Sequence, residues 1–108
     1  MPKYVTIQYG DRSGYERTTP QVRDAHAHDK ELLRRGALIG IAGSPVQVRN
    51  PNDAEVQTRN AAFMSSPLPI AGFAIIEVVN LAEAIELASK APCAVAHGVV
   101  EVWPLEEA

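Results

Sequence analysis

The stretch Ile70–Asn80, IAGFAIIEVVN, leaves this chain few folds to choose from. Its β-branched and aromatic residues mark a strand. Laid out with a period of two, Phe73, Ile75 and Val79 point one way, and Ile70, Ala74, Ile76 and Val78 point the other. Both sets are apolar. A strand in an antiparallel sheet with one wet face alternates apolar and polar residues. This strand therefore predicts a sheet covered on both sides. Ile76 is taken to lie on the side covered by a partner.

The flanking segments supply one cover. KYVTIQYG alternates Val5, Ile7 and Tyr9 with Tyr4, Thr6 and Gln8, a period-two strand closed at Gly10–Asp11. DRSGYERTTP reads as a loop rich in breakers. Thr18 or Thr19 followed by Pro20 predicts a helix start, with the helix running to about Arg35 and stopping at a left-handed Gly36. ALIGIAG is a second strand. VQVRN and EVQTRN flank the turn Pro51–Asn52–Asp53 and predict a hairpin arm. After the apolar strand, Asn80 caps a second helix, with Glu83 completing a capping box and Leu81, Ala84, Ile85 and Ala88 as its apolar stripe. Pro92 ends that helix. AVAHGVVEVW is the last strand, stopped by Pro104.

The order is that of an α+β, ferredoxin-like βαββαβ unit with a hairpin arm, one domain over residues 1–108. Two helices cover one face only. An uncovered apolar face of several hundred Å2 is roughly the size of an interaction surface. A second copy of the same sheet is the simpler cover, which predicts a homodimer through sheet faces; the arm folding back is the alternative.

Charge narrows the partners. Ten Lys and Arg against thirteen Asp and Glu give a net charge of −3, which argues against nucleic acid, a partner that needs a concentrated basic patch. No apolar run is long enough for a leader or a membrane span. Cys93 is the single cysteine, so no intrachain disulfide forms, which fits a reducing cytoplasm.

KYVTIQYGD, ELLRRGALIG, GFAIIEVVNLAEAIELASKAP and HGVVEVWP together resemble the YCII-related proteins, in the branch named for a D-G-P-F motif. The resemblance covers most of the chain and is most specific in its last forty or so residues. It implies a dimeric α/β barrel, two ferredoxin-like units with their sheets face to face. Three departures stand out. NAAF, Asn60 to Phe63, occupies the D-G-P-F position; the segment after it, MSSPLPIA, is more apolar; and Trp103 replaces a closing arginine. These changes suit a more hydrophobic ligand, or reflect drift without a tight ligand requirement.

RDAHAHDKELL, Arg23 to Leu33, concentrates the titratable groups. Residues two apart on a helix point about 200° apart, so His26 and His28 do not grip one ion, and no metal is expected. Val22, Ala25, Leu32 and Leu33 define the predicted buried face, and both histidines border it. Asp29, three after His26, can orient its ring. RDAH resembles the R-P-A-H context of a histidine in YCII proteins, with Asp24 for proline. Where His28 stands, D-G-P-F relatives commonly carry an aromatic residue. The plainer reading of either histidine is a hydrogen-bonded rim residue.

The expected function is a cofactor-independent lyase, isomerase or cyclase acting on a small oxygenated ring or polyketide-like substrate. The related families include a dehydrochlorinase of chlorinated hydroxyquinols, and that resemblance sets the reaction class. Neutral imidazole is a suitable base near pH 7. His26, His28, Asp29 and Asp24 are the expected acid–base groups. Tyr9, Arg23, Asn60 and Phe63 are expected ligand contacts, together with Phe73, His97 and Trp103. No cofactor is expected, because GIAGSP lacks the spacing of a dinucleotide loop. The alternative is a non-catalytic small-ligand-binding or regulatory module.

Overall fold

The computed structural model describes residues 1–18 and 21–107; the side chains of 21–24 lie outside it. The predicted helix start at Thr19–Pro20 and the side chains of Val22, Arg23 and Asp24 therefore fall outside the described residues.

The chain is α+β. In order it forms β1 (Lys3–Tyr9), α1 (Arg12–Glu16), α2 (Gln21–Arg34), β2 (Leu38–Ile41), β3 (Gln47–Arg49), β4 (Gln57–Arg59), β5 (Ile70–Glu77), α3 (Leu81–Ser89), α4 (Pro92–Val95) and β6 (Val99–Leu105). A four-stranded sheet has the order β2-β5-β1-β6, and each neighbouring pair is antiparallel. That order is consistent with a ferredoxin-like arrangement. β3 and β4 pair only with each other, as a separate two-stranded ribbon.

The registers assign the two faces. Tyr4 opposes Ile76 and Pro104, and Thr6 opposes Ala74 and Val102. These residues look toward the helices. Tyr4, Ile76, Val78 and Ala84 form a core cluster, with Ala37, Leu87 and Val102 packed against it. α2 contributes buried Ala25 and Leu32.

The other face carries Val5, Ile7 and Tyr9 of β1, Phe73 and Ile75 of β5, and Val99, Glu101, Trp103 and Leu105 of β6. Phe73, Ile75, Val99, Trp103 and Leu105 are all exposed there. The two-sided apolarity of β5 therefore corresponds to one helix-covered face and one open face.

Two assignments within β5 are corrected. Ile76 belongs to the helix side, at 4% exposure, and Ile75 to the open side. A register irregularity after Gln8 makes Tyr9 oppose Ile70, which turns Ile70 onto the open face with Phe73. A bulge has this effect because one extra residue inverts the alternation beyond it.

The helices differ from expectation in three places. Residues 12–16 form a helix where a loop was expected, because the Asp11 carboxylate caps it by accepting from the Gly14 N–H at 3.0 Å. Asn80 and Glu83 do form a reciprocal cap: Asn80 accepts from the Glu83 N–H, and the Glu83 carboxylate accepts from Val79, both at 2.9 Å. The buried stripe of α3, however, is Ala84 with Leu87, while Leu81 and Ile85 are exposed. Pro92 also starts a further helix, α4, a first-turn position that needs no N–H. Pro104 lies within β6 rather than ending it; β6 is an edge strand, where a missing donor is tolerated. Gly36 has φ 95°, the expected left-handed stop.

Candidate functional site

One end of the open face holds a groove of about 670 Å3. Its floor is Tyr9, Ile70, Phe73, Val99 and Glu101. Its rim is the loop after β2, Ala42 to Pro45, and the segment Ala62 to Pro69. Three backbone or side-chain ties hold the rim: Ala42 N–H to the Ala71 carbonyl at 2.9 Å, Gly10 N–H to Pro69 at 3.1 Å, and the Gln47 amide to the Ala62 carbonyl at 3.3 Å. Most of the sequence MSSPLPIA thus lines the groove.

The floor carries one ionisable pair. The Tyr9 hydroxyl donates to the Glu101 carboxylate at 2.6 Å. Strand alternation places both there: Val99, Glu101 and Trp103 share one face of β6, and Tyr9 sits opposite Val99. The hydrogen bond to Glu101 holds the Tyr9 phenol above its ordinary pKa, and burial and the nearby negative charge add to this. Tyr9 is therefore a protonated donor at neutral pH. Glu101 keeps further acceptor capacity that a ligand hydroxyl or amine could use.

The histidines lie elsewhere. Neither His26 nor His28, the expected acid–base groups, lines the groove. His26 is exposed and stacks on Tyr15, with ring centroids 6.3 Å apart. His28 Nε2 is 3.1 Å from the Leu87 carbonyl of α3, so that nitrogen carries the proton and donates. Asp29 is half-buried beside them. Burial raises its pKa, against the opposing influence of His28 and His26. Tyr15 lies 3.7 Å from the buried Cys93 sulfur. Burial, the Cys93 contact and the nearby Asp29 charge all push the Tyr15 pKa up. Among the described residues, no three His, Cys, Asp or Glu side chains gather to hold a metal ion.

Of the expected ligand contacts, Tyr9 and Phe73 line the groove. Trp103 shares their sheet face but lies beyond the groove lining. Phe63 is exposed within the rim segment and Asn60 is exposed just before it, and neither lines the groove. His97 is exposed at φ 60°, in the turn that leads into β6. The side chains of Arg23 and Asp24 lie outside the description. Glu101 was missed. Its signal was present in VVEVW: a charge on the apolar side of an alternating strand.

Two measurements separate these roles. His28→Ala should cost about 1 kcal/mol of stability, the net worth of one hydrogen bond, and leave binding in the groove unchanged; chemical denaturation and titration of a groove ligand check this. Asp29→Asn should raise the melting midpoint at pH 7. A raised native pKa means the folded state binds more protons, so ionising Asp29 weakens folding as pH rises above its ordinary 3.8. The difference between the two proteins should shrink as the pH falls toward that value.

Compared with protein-family models and with curated proteins, the chain matches none. No helix among the described residues is long and apolar enough to cross a membrane.

Proposed function

We propose that this protein is a homodimer that binds a small, largely apolar molecule in the groove of each open sheet face. The ligand carries a hydroxyl or other donor that meets Glu101. The observation that carries this reading is a single hydrogen-bonded acid pair, Tyr9–Glu101, on the floor of a mostly apolar groove. Ligand sites combine these traits: mostly apolar walls, few polar groups, and volumes of roughly 300–1,000 Å3. The open face supports the dimer, because Phe73, Ile75, Trp103 and Leu105 are left uncovered by one chain alone. The resemblance of the chain to YCII-related dimeric barrels, with its ferredoxin-like unit, agrees with this reading.

A catalytic version keeps the cofactor-independent proton-transfer chemistry but moves the base from the histidines to Glu101. The observation in its favour is that Glu101 is an acceptor in apolar surroundings with Tyr9 as a fixed donor. A carboxylate so placed can take a proton from a bound oxygenated ring. Turnover of such a compound, lost in Glu101→Gln, separates catalysis from binding alone.

The test is a panel of one- to three-ring phenols and ketones, screened by thermal shift. At least one phenol should raise the melting midpoint; at a hundred times its Kd the stabilisation is about 2.7 kcal/mol. Glu101→Gln should weaken that phenol by about 10- to 150-fold, since a hydrogen bond to a charged group is worth roughly 1.5–3 kcal/mol. Binding that ignores both Glu101→Gln and Phe73→Ala rejects the groove as the site.

A further inference from the structure

We infer that the β3–β4 arm of one protomer seats on a second copy and completes the wall of that copy's groove. This rests on the homodimer proposed above and adds to it a contact made in trans.

The first observation is the pattern of the arm. Val48 opposes Thr58, and Gln47 and Arg49 oppose Arg59 and Gln57. Alternation therefore places Val46, Val48, Val56 and Thr58 on one side of the ribbon, and Gln47, Arg49, Gln57 and Arg59 on the other. The ribbon is amphipathic, yet its apolar side is bare: Val48 is 67% and Val56 66% exposed. A lone two-stranded hairpin is marginal in water, so this one calls for a cover.

The second observation is reach. The radius of gyration is 15.8 Å and the longest extent 51 Å, whereas a compact chain of this length has a radius near 13 Å. The chain does not fold the arm back over its own sheet, since Phe73, Ile75 and Trp103 stay exposed. Arg49 lies over the Phe63 ring, 5.5 Å from its centroid, which couples the arm to the segment that forms the groove rim.

The third observation concerns the occupant. The sheet face alone is roughly 19 Å across four strands and roughly 23 Å along seven residues, about 440 Å2 in projection. The accessible area of such a face exceeds its projection, and a stable interface takes roughly 800 Å2 of accessible area per partner. The arm and Phe63 supply further apolar area on the same chain, and a twofold axis uses it twice. Charge also fits a second copy. The charged residues of the open face are already engaged, Lys3 with Glu77 at 3.6 Å and Glu101 with Tyr9, so two such faces meet without repulsion between free like charges. A strongly charged partner would find little to bind.

The experiment uses Trp103, the only tryptophan. A chain carrying Trp103→Phe, Cys93→Ala and Val56→Cys is labelled at residue 56 with a thiol-reactive fluorescence acceptor and mixed with unlabelled protein. The donor then lies on one chain and the acceptor on the other. A matched chain with Lys90→Cys in place of Val56→Cys carries the label at the end of α3. Sedimentation of each mixture reads the oligomeric state. Dimers with transfer at least several-fold stronger to the arm label than to the α3 label are expected. Dimers without that difference overturn the arm contact and leave the dimer standing. Monomers overturn the dimer and this inference together. A double variant, Val48→Lys with Val56→Lys, should raise the dimer dissociation constant at least tenfold with an unchanged far-ultraviolet spectrum; an unchanged constant also overturns the arm contact.

Discussion

Gly98→Ala is expected to destabilise the fold by about 3 kcal/mol or more, and Gly14→Ala by a similar amount. A Cβ at Gly98 would lie 2.2 Å from the Tyr9 carbonyl oxygen and 2.7 Å from that of Cys93. A Cβ at Gly14 would lie 2.1 Å from the Ala96 carbonyl oxygen. These neighbours are backbone, so no side chain can swing aside. The Gly98 N–H donates to the Cys93 carbonyl at 2.8 Å, which ties α4 to the start of β6 beside the end of β1. Overpacking a tight site costs about 1–3 kcal/mol, and rigid backbone puts these cases at the top of that range. For a domain of this size, 3 kcal/mol lowers the melting midpoint by roughly 12–24 °C. Gly43→Ala is the control, since nothing lies within 4 Å of its added Cβ. Scanning calorimetry of the three variants decides it: equal midpoints would mean that the junction of α1, α4 and β6 yields without cost. Because Tyr9 and Val99 sit at this junction and also floor the groove, loss of ligand binding should accompany the loss of stability.

Ile75→Lys is expected to turn the proposed homodimer into a folded monomer, whereas Ile76→Lys should unfold the chain. The two residues are adjacent and equally apolar, but Ile75 is 36% exposed on the open face and Ile76 is buried among Tyr4, Val78 and Ala84. Leaving an unpaired charge in an apolar interface costs about 3–5 kcal/mol. A twofold dimer buries the lysine twice, so the dissociation constant should rise by roughly 10⁴ or more. Sedimentation equilibrium at micromolar concentration, together with far-ultraviolet dichroism, reads both effects. A folded dimer of Ile75→Lys would place the interface elsewhere and leave the open face without a role.

The same pair of residues marks where the sequence stops being sufficient. Period-two alternation determined that β5 has two apolar sides, because that rule is local to the strand. Which side meets the helices depends on the register between strands and on where α2 and α3 pack, and those are decided only when the sheet assembles. Ile70 makes the point again: its alternation reads correctly until the irregularity opposite Gln8 and Tyr9 reverses it. The caps at Gly36, Asn80 and Glu83 were legible, since each is a short-range hydrogen-bond or dihedral requirement. α1 was not, because its cap at Asp11 was hidden in a stretch of breakers whose Gly14 is needed for close approach to Ala96.

The candidate site divides along the same line. Tyr9 and Phe73, named from the sequence, line the groove because they stand on strands whose sides alternate, and Glu101 was countable in the same way within VVEVW. His26 and His28 were placed at the edge of a buried helix face, and His28 is half-buried there. A helical wheel gives the angle of a side chain about its own axis, but not what stands opposite. Here the Leu87 carbonyl of α3 stands opposite His28, and the groove opens on the far side of the sheet. By itself the sequence determined the main strands and the two longer helices, the caps at Gly36, Asn80 and Glu83, and the apolar surfaces that must be covered. Tertiary structure decided which polar groups meet, because Tyr9 and Glu101 are 92 residues apart in the chain and only the pairing of β1 with β6 brings them to 2.6 Å.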